Sequence, residues 1–225
     1  MQKKWNKVIT GATDKSQLAS WEQNFISLMD YLTSYIRPSG INLPTEELVV
    51  LDVGSGTMAY GRALQKWVEK KSKRSRLIAL DGIYRDYPVP VYPDDLPQPR
   101  IEWFPRYIED SLSELKRRMV EHIDLITMFN IPHRMSSIRS LGELSSRVPV
   151  VGSVEPQTES IDALLSTFTR PEYSASGQAY KDSTVLLLHN TPFSVYTLHQ
   201  WMLFPFDPLF VAIPKEIEKD KIGSS

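Results

Sequence analysis

The residues best suited to chemistry cluster in one short segment, Asp52-Val53-Gly54-Ser55-Gly56-Thr57-Met58-Ala59-Tyr60-Gly61. Gly54 and Gly56 lack a Cβ, so a nucleotide-like ligand can approach the backbone closely where a helix begins and its amide groups are unpaired. Asp52 stands just before the turn, while Asp81 and Asn130 follow two later apolar runs. If these runs are parallel strands of an open α/β sheet, the three polar groups converge at its carboxyl edge, where such sheets bind ligands. Asn130 opens the sequence Asn130-Ile131-Pro132-His133. The His133 imidazole, with an unperturbed pKa of about 6.5, suits a general base acting on a hydroxyl. The plainer reading is that Pro132 ends a strand and His133 is a solvated loop residue.

Composition removes several other chemistries. The 225 residues include no cysteine, which excludes a disulfide framework, a thiolate zinc site and a cysteine nucleophile. His122, His189 and His199 have no short ligand spacing with one another, so no metal site is expected. Twenty-six Lys and Arg residues against 27 Asp and Glu give a formal charge of -1, so no global basic field draws the chain onto a phosphate backbone. The basic run from Lys70 to Arg76 reads as a solvated helix end, since it falls at the amino edge of the sheet. Ser183 to Phe206 is uncharged and long enough to span a bilayer, but His189, Asn190, Thr191, His199 and Gln200 would be costly in hydrocarbon. With no apolar leader in Met1 to Lys15 either, a cytoplasmic protein with no membrane partner is expected.

The elements that must position these groups follow from periodicity. Leu18, Trp21, Phe25, Leu28, Leu32 and Tyr35 form the stripe of an amphipathic helix that ends before Pro38. Leu48 to Val53 is an apolar run broken only by Asp52, as suits a strand buried on both faces. Tyr60, Leu64, Trp67 and Val68 restore helical spacing, and Leu77 to Leu80 is the next strand, completing a βαβ unit. Five prolines between Pro88 and Pro99 replace the next crossover helix with a loop. Arg100 to Arg106, Asp124 to Phe129 and Val148 to Val154 continue the strands, with helices near Leu112 to Met119, Ile138 to Leu141 and Ile161 to Phe168. Thr184 to Leu188 and Leu209 to Ile213 read as a final antiparallel pair. Val195 to Leu203 fits either helix or strand. The expected architecture is α/β, a doubly wound, mostly parallel seven-stranded sheet with helices on both faces and an antiparallel C-terminal strand pair. Residues 1–42 form a helical extension and 43–225 a Rossmann-like domain.

An acidic residue, a spacer and Gly-x-Gly, as in Asp52-Val53-Gly54-Ser55-Gly56, resembles the first motif of the class I S-adenosylmethionine-dependent methyltransferases. Leu77-Ile78-Ala79-Leu80-Asp81-Gly82 resembles the family's second strand, and the likeness runs from Leu48 to Val154. The resemblance implies a donor site of Asp52, Gly54, Ser55, Gly56, Asp81 and Gly82, in which Asp81 binds the ribose hydroxyls. It also implies that Asn130 and His133 face the transferable methyl group. Asn130-Ile131-Pro132-His133 is similar to the Asn/Asp-x-Pro-aromatic motif of amino-group methyltransferases, with His133 in place of the aromatic residue. The N-terminal helix resembles the variable cover that such enzymes carry over the acceptor.

A dinucleotide site is the main rival, because Gly54-Ser55-Gly56-Thr57-Met58-Ala59 also fits G-x-G-x-x-G/A with Asp81 at a suitable distance. Asp52 favours the methyl donor, since dinucleotide sites usually keep that position apolar. The expected activity is thus S-adenosyl-L-methionine-dependent methyl transfer to a nucleophile, with a small-molecule acceptor favoured over nucleic acid on charge grounds. The alternatives are an amino-group methyltransferase acting on nucleic acid or protein, a catalytically silent binding subunit of the same fold, and an NAD-binding oxidoreductase.

Overall fold

Apolar, β-branched runs separated by charged or glycine-containing turns place the strands, and amphipathic stripes place the helices that cover them. The computed structural model describes residues 15–55, 60–81, 100–104, 115, 122–129, 148–153, 193–198 and 209–214. In chain order the elements are α1 (Lys15–Ser34), a 3-10 turn (Arg37–Ser39), β1 (Glu47–Val53), α2 (Gly61–Lys71), β2 (Arg74–Leu80) and β3 (Glu102–Phe104). They are followed by β4 (Leu125–Phe129), β5 (Val150–Ser153), β6 (Phe193–Leu198) and β7 (Leu209–Pro214).

The strands form one mixed sheet in the order β3-β2-β1-β4-β5-β7-β6. Its first four pairings are parallel, with Val53 opposite Leu80 and Asp52 opposite Thr127. β7 then runs antiparallel to both β5 and β6. The order reverses direction at β1, so the crevice at a topological switch point opens between the carboxyl ends of β1 and β4. Gly152 on β5 lies so close to β4 that a Cβ there would stand 1.8 Å from the Met128 carbonyl oxygen. Only glycine fits that approach.

Both described helices pack on one face of the sheet. Leu48 and Val50 of β1, Leu77 and Ala79 of β2, and Leu125 and Phe129 of β4 share a single apolar cluster with Phe25, Leu28 and Leu32 of α1 and Leu64, Trp67 and Val68 of α2. The alternate residues Val49, Leu51, Ile78 and Ile126 are buried as well, so the second face is also covered. α1 therefore belongs to the same core as the sheet.

The buried stripe of α1 is Phe25, Leu28, Met29 and Leu32, each 0% exposed, and Ile36 just beyond the helix continues it at 1%. Tyr35, expected on that stripe, is instead 37% exposed, because the helix ends at Ser34 and the chain tightens into the 3-10 turn closed by Gly40 at φ 84°. Burying each such side chain contributes about 1.5 to 3 kcal/mol, whereas exposed ion pairs contribute about 0 to 1. Apolar packing thus dominates. One ion pair between the helices is different: Glu22, only 3% exposed, accepts from Arg62 Nε at 2.6 Å and also pairs with Lys66. Asp30 accepts from the Trp67 indole N–H at 2.9 Å and from Lys71 at 2.7 Å, so the buried tryptophan keeps its hydrogen bond.

Some expected boundaries shift. Arg74 and Arg76 lie in β2, not in a solvated helix end, and Arg76 forks onto both carboxylate oxygens of Glu102 in β3 at 2.8 and 2.9 Å. The segment compatible with helix or strand is strand at Phe193–Leu198, and it is this segment that pairs with β7. Thr184 to Leu188, assigned to that pair from sequence, lies outside the described residues, as do the helices expected near residues 138 and 161.

Candidate functional site

Side chains alternate along β1, which puts Asp52 on the same face as Leu48 and Val50, toward the helices. Its carboxylate is therefore inserted into the core and is 0% exposed. Two hydroxyls compensate. Thr127, the register partner of Asp52 on β4, donates from Oγ1 to Oδ1 at 2.5 Å. Tyr60, the N-cap residue of α2, donates from its hydroxyl to Oδ2 at 2.9 Å. Burial pushes the Asp52 carboxyl up to about 7, the Thr127 and Tyr60 hydrogen bonds oppose that rise, and the charge of Asp81 adds to it. Near neutral pH the group is thus poised between its two charge states.

The turn after β1 is held to the end of β2 by one carbonyl. Leu80 O accepts from the backbone N–H of Gly54 at 2.8 Å, from that of Ser55 at 3.0 Å and from Ser55 Oγ at 3.4 Å. Gly54 has φ 68°, a left-handed conformation that its lack of a Cβ permits. Asp81 follows Leu80 directly, is 6% exposed, and donates its N–H to Phe104 O at 3.3 Å. Gly54, Ser55 and Asp81 are thereby brought together at the carboxyl ends of two parallel strands, with Asp52 just beneath. Gly56, Gly82, Asn130 and His133 lie outside the described residues.

Four contributors to this arrangement were not singled out as site residues from the sequence. Thr127 is hidden in the apolar run Leu125–Phe129, and only the strand register sets it opposite Asp52. Tyr60 shows as a helix-stripe residue, which conceals the use of its hydroxyl. Its ring stacks on Phe25 of α1, with centroids 5.3 Å apart and planes 15° from parallel. Phe129, the last residue of β4, meets Tyr60 at 5.3 Å and 67°, and Phe25 at 5.3 Å and 59°. Three elements meet in this ring cluster, which includes the ring that carries one of the carboxylate's two hydroxyl donors.

A separate cavity of about 400 Å³, lined by residues including Ile36, Arg37, Ile41, Leu43 and Lys71, lies at the opposite, amino end of β1 and β2. It has no part in the arrangement around Asp52. Among the described residues no three His, Asp or Glu side chains gather as a metal site, and no helix is long and apolar enough to cross a membrane.

No family model and no curated protein matches the sequence. Among solved structures, the chain is similar to the CMeT domain of citrinin polyketide synthase, with TM-score 0.53, 15% identity, and coverage of 93% of this chain and 56% of that one. It is also similar to the CurJ carbon methyltransferase, with TM-score 0.47, 15% identity, and coverage of 93% and 61%. For the DszA carbon methyltransferase the corresponding values are 0.46, 15%, 91% and 56%. The chain therefore spans less than two thirds of each of these structures, and at these identities the likeness is one of fold. Its strand order, its glycine turn after β1 and this likeness together show that the chain has the fold of that CMeT domain.

Proposed function

We propose that the chain is an S-adenosylmethionine-dependent methyltransferase, with the donor lying against Gly54 and Ser55. The observation that carries this reading is the fastening of the glycine turn to Leu80 O, beside Asp81 and above the buried Asp52. The residues present suit such a donor. Gly54 leaves the backbone open at a left-handed position, and the Asp81 carboxylate offers acceptor oxygens to two neighbouring ribose hydroxyls. Each Asp52 oxygen accepts one hydroxyl and retains a further lone pair for the amino acid part of the donor. When bound, S-adenosylmethionine supplies a methyl group on a positive sulfur, so it needs no metal or acid to activate it.

The protein's contribution is then chiefly positioning, which is worth several kcal/mol of barrier when the reacting groups are held in line. Asn130, the residue after the end of β4, and His133, three residues further on, are our choice for the acceptor side. Asn130 would align an amine, while His133 would take the proton from a hydroxyl. A small-molecule acceptor fits the formal charge of -1 better than nucleic acid does. In this reading a helical extension, 1–42, accompanies a doubly wound domain, 43–225, that works in the cytoplasm.

The complete enclosure of Asp52 favours one second reading, a silent fold that acts as a binding subunit. Thermal unfolding tests both. S-adenosylmethionine and its demethylated product, S-adenosylhomocysteine, are expected to raise the Tm while NAD leaves it unchanged, because a ligand selective for the folded state stabilises it by mass action. A rise with NAD alone would overturn the donor assignment. Tight donor binding with no transfer of labelled methyl to any acceptor in a broad screen would favour the silent fold.

A further inference from the structure

We propose that Tyr60 is a positioning residue that aligns Asp52 for the methyl donor, and that Phe25 fixes Tyr60, making the N-terminal helix α1 part of the donor site. This rests on the reading of Asp52 as a donor-facing carboxylate. The Asp52 oxygens are fixed from two directions: Thr127 comes from the adjacent strand in register, and Tyr60 comes from the far end of the glycine turn. The Tyr60 hydroxyl therefore ties the end of the segment that would embrace the donor back to its beginning.

The ring of Tyr60 is oriented by Phe25, which stacks on it at 15°, and by the edge contact with Phe129. Phe25 is 0% exposed, and α1 is clamped to α2 by Glu22 on Arg62, two residues beyond Tyr60. A displacement of α1 would thus disturb the aromatic stack first and the Asp52 hydrogen bond next. The Tyr60 hydroxyl supplies one of the two hydrogen bonds that hold the buried carboxylate in a single orientation. It favours the ionised form, the one that can receive a cationic donor, against burial and against the charge of Asp81 at the end of β2. From β4 Thr127 acts in the same sense as Tyr60, while the α1 acids Glu22 and Asp30 are taken up by Arg62, Lys66, Lys70 and Lys71.

The test uses Tyr60→Phe, which keeps the ring and removes the hydroxyl, together with Phe25→Leu, which keeps the hydroxyl and loosens the stack. Two quantities are read from pH 5.5 to 8.5: the titration of the Asp52 carboxyl carbon by NMR, and the calorimetric affinity for S-adenosylhomocysteine. Tyr60→Phe is expected to move the Asp52 midpoint up by about one pH unit and to weaken binding about fivefold at pH 7, with the gap closing toward pH 8.5 as Asp52 ionises in both proteins. Phe25→Leu is expected to shift both in the same direction by a smaller amount. Parent-like affinity of Tyr60→Phe at every pH would overturn the positioning role. So would a loss equal at every pH, which marks a merely structural effect. Parent-like behaviour of Phe25→Leu would remove α1 from the site. Failure of the parent itself to bind S-adenosylhomocysteine would bring down the donor reading, and this inference with it.

Discussion

Replacing Asp52 with asparagine should make the protein more stable at alkaline pH and flatten its pH dependence. The carboxyl is wholly buried, and its pKa is pushed from 3.8 to about 7, chiefly by desolvation. Between those two values the folded state binds a proton that the unfolded chain has released, so stability falls as pH rises. The contribution is fully present below pH 3.8 and lost once pH has passed through about 7. A shift of about three units corresponds to about 4 kcal/mol, and about 3 kcal/mol of this falls between pH 5 and pH 8.5. Asparagine has the same shape and no charge to desolvate. Its Oδ1 accepts from Tyr60, and its Nδ2 can donate to a reoriented Thr127 hydroxyl. Urea unfolding at half-unit pH intervals provides the assay, and the difference curve between Asp52→Asn and parent cancels every group that the two share. We expect near-equal stability at pH 5 and an advantage of about 3 kcal/mol for Asp52→Asn at pH 8.5. Parallel curves would show that Asp52 titrates in the folded protein as it does in the unfolded chain, and the argument from burial would fail.

Further outcomes follow from the same geometry. Asp81→Ala should leave the fold intact and weaken S-adenosylhomocysteine by roughly tenfold to a hundredfold in calorimetric titration, since it removes a charged acceptor worth about 1.5 to 3 kcal/mol. Asn130→Ala should depress turnover with little change in donor affinity if the acceptor is an amine, with His133→Phe tolerated. For a hydroxyl acceptor His133→Phe should instead abolish a rate that rises with pH through the imidazole pKa. Gly152→Ala should unfold or strongly destabilise the protein in thermal melts, because its Cβ would overlap the Met128 carbonyl oxygen at 1.8 Å.

Local pattern revealed most of the central sheet. The runs at Leu48, Leu77 and Asp124 are short, apolar and bounded by turns, so they could be read as parallel strands without any knowledge of their partners. The glycine turn and the two acids at strand ends were equally legible, because each depends on a residue type at a fixed offset. What escaped depends on contacts between distant segments. Val195 and Leu198 satisfy helical spacing, yet pairing with β7 from Phe193 to Leu198 makes the segment a strand, a choice set by tertiary context. Arg74 and Arg76 disguised the first residues of β2 as a continuation of the basic helix end, since the charge that marks solvent is met across strands, on Arg76 by Glu102 and on Arg74 by Glu47. The tyrosine hydroxyl at position 60 finds its partner eight residues back, and Thr127 finds the same partner 75 residues back. No periodicity encodes either contact.

The account stands most directly on where S-adenosylhomocysteine sits, and a crystal structure of the protein soaked with it measures that in one step. We expect the ribose on the Asp81 carboxylate and the amino acid portion along Gly54 and Ser55, with the sulfur directed toward the residues after β4. Density for the ligand at the opposite edge of the sheet, or a well-ordered structure that excludes it from the carboxyl ends of β1 and β2 at saturating concentration, would contradict the methyl-donor site.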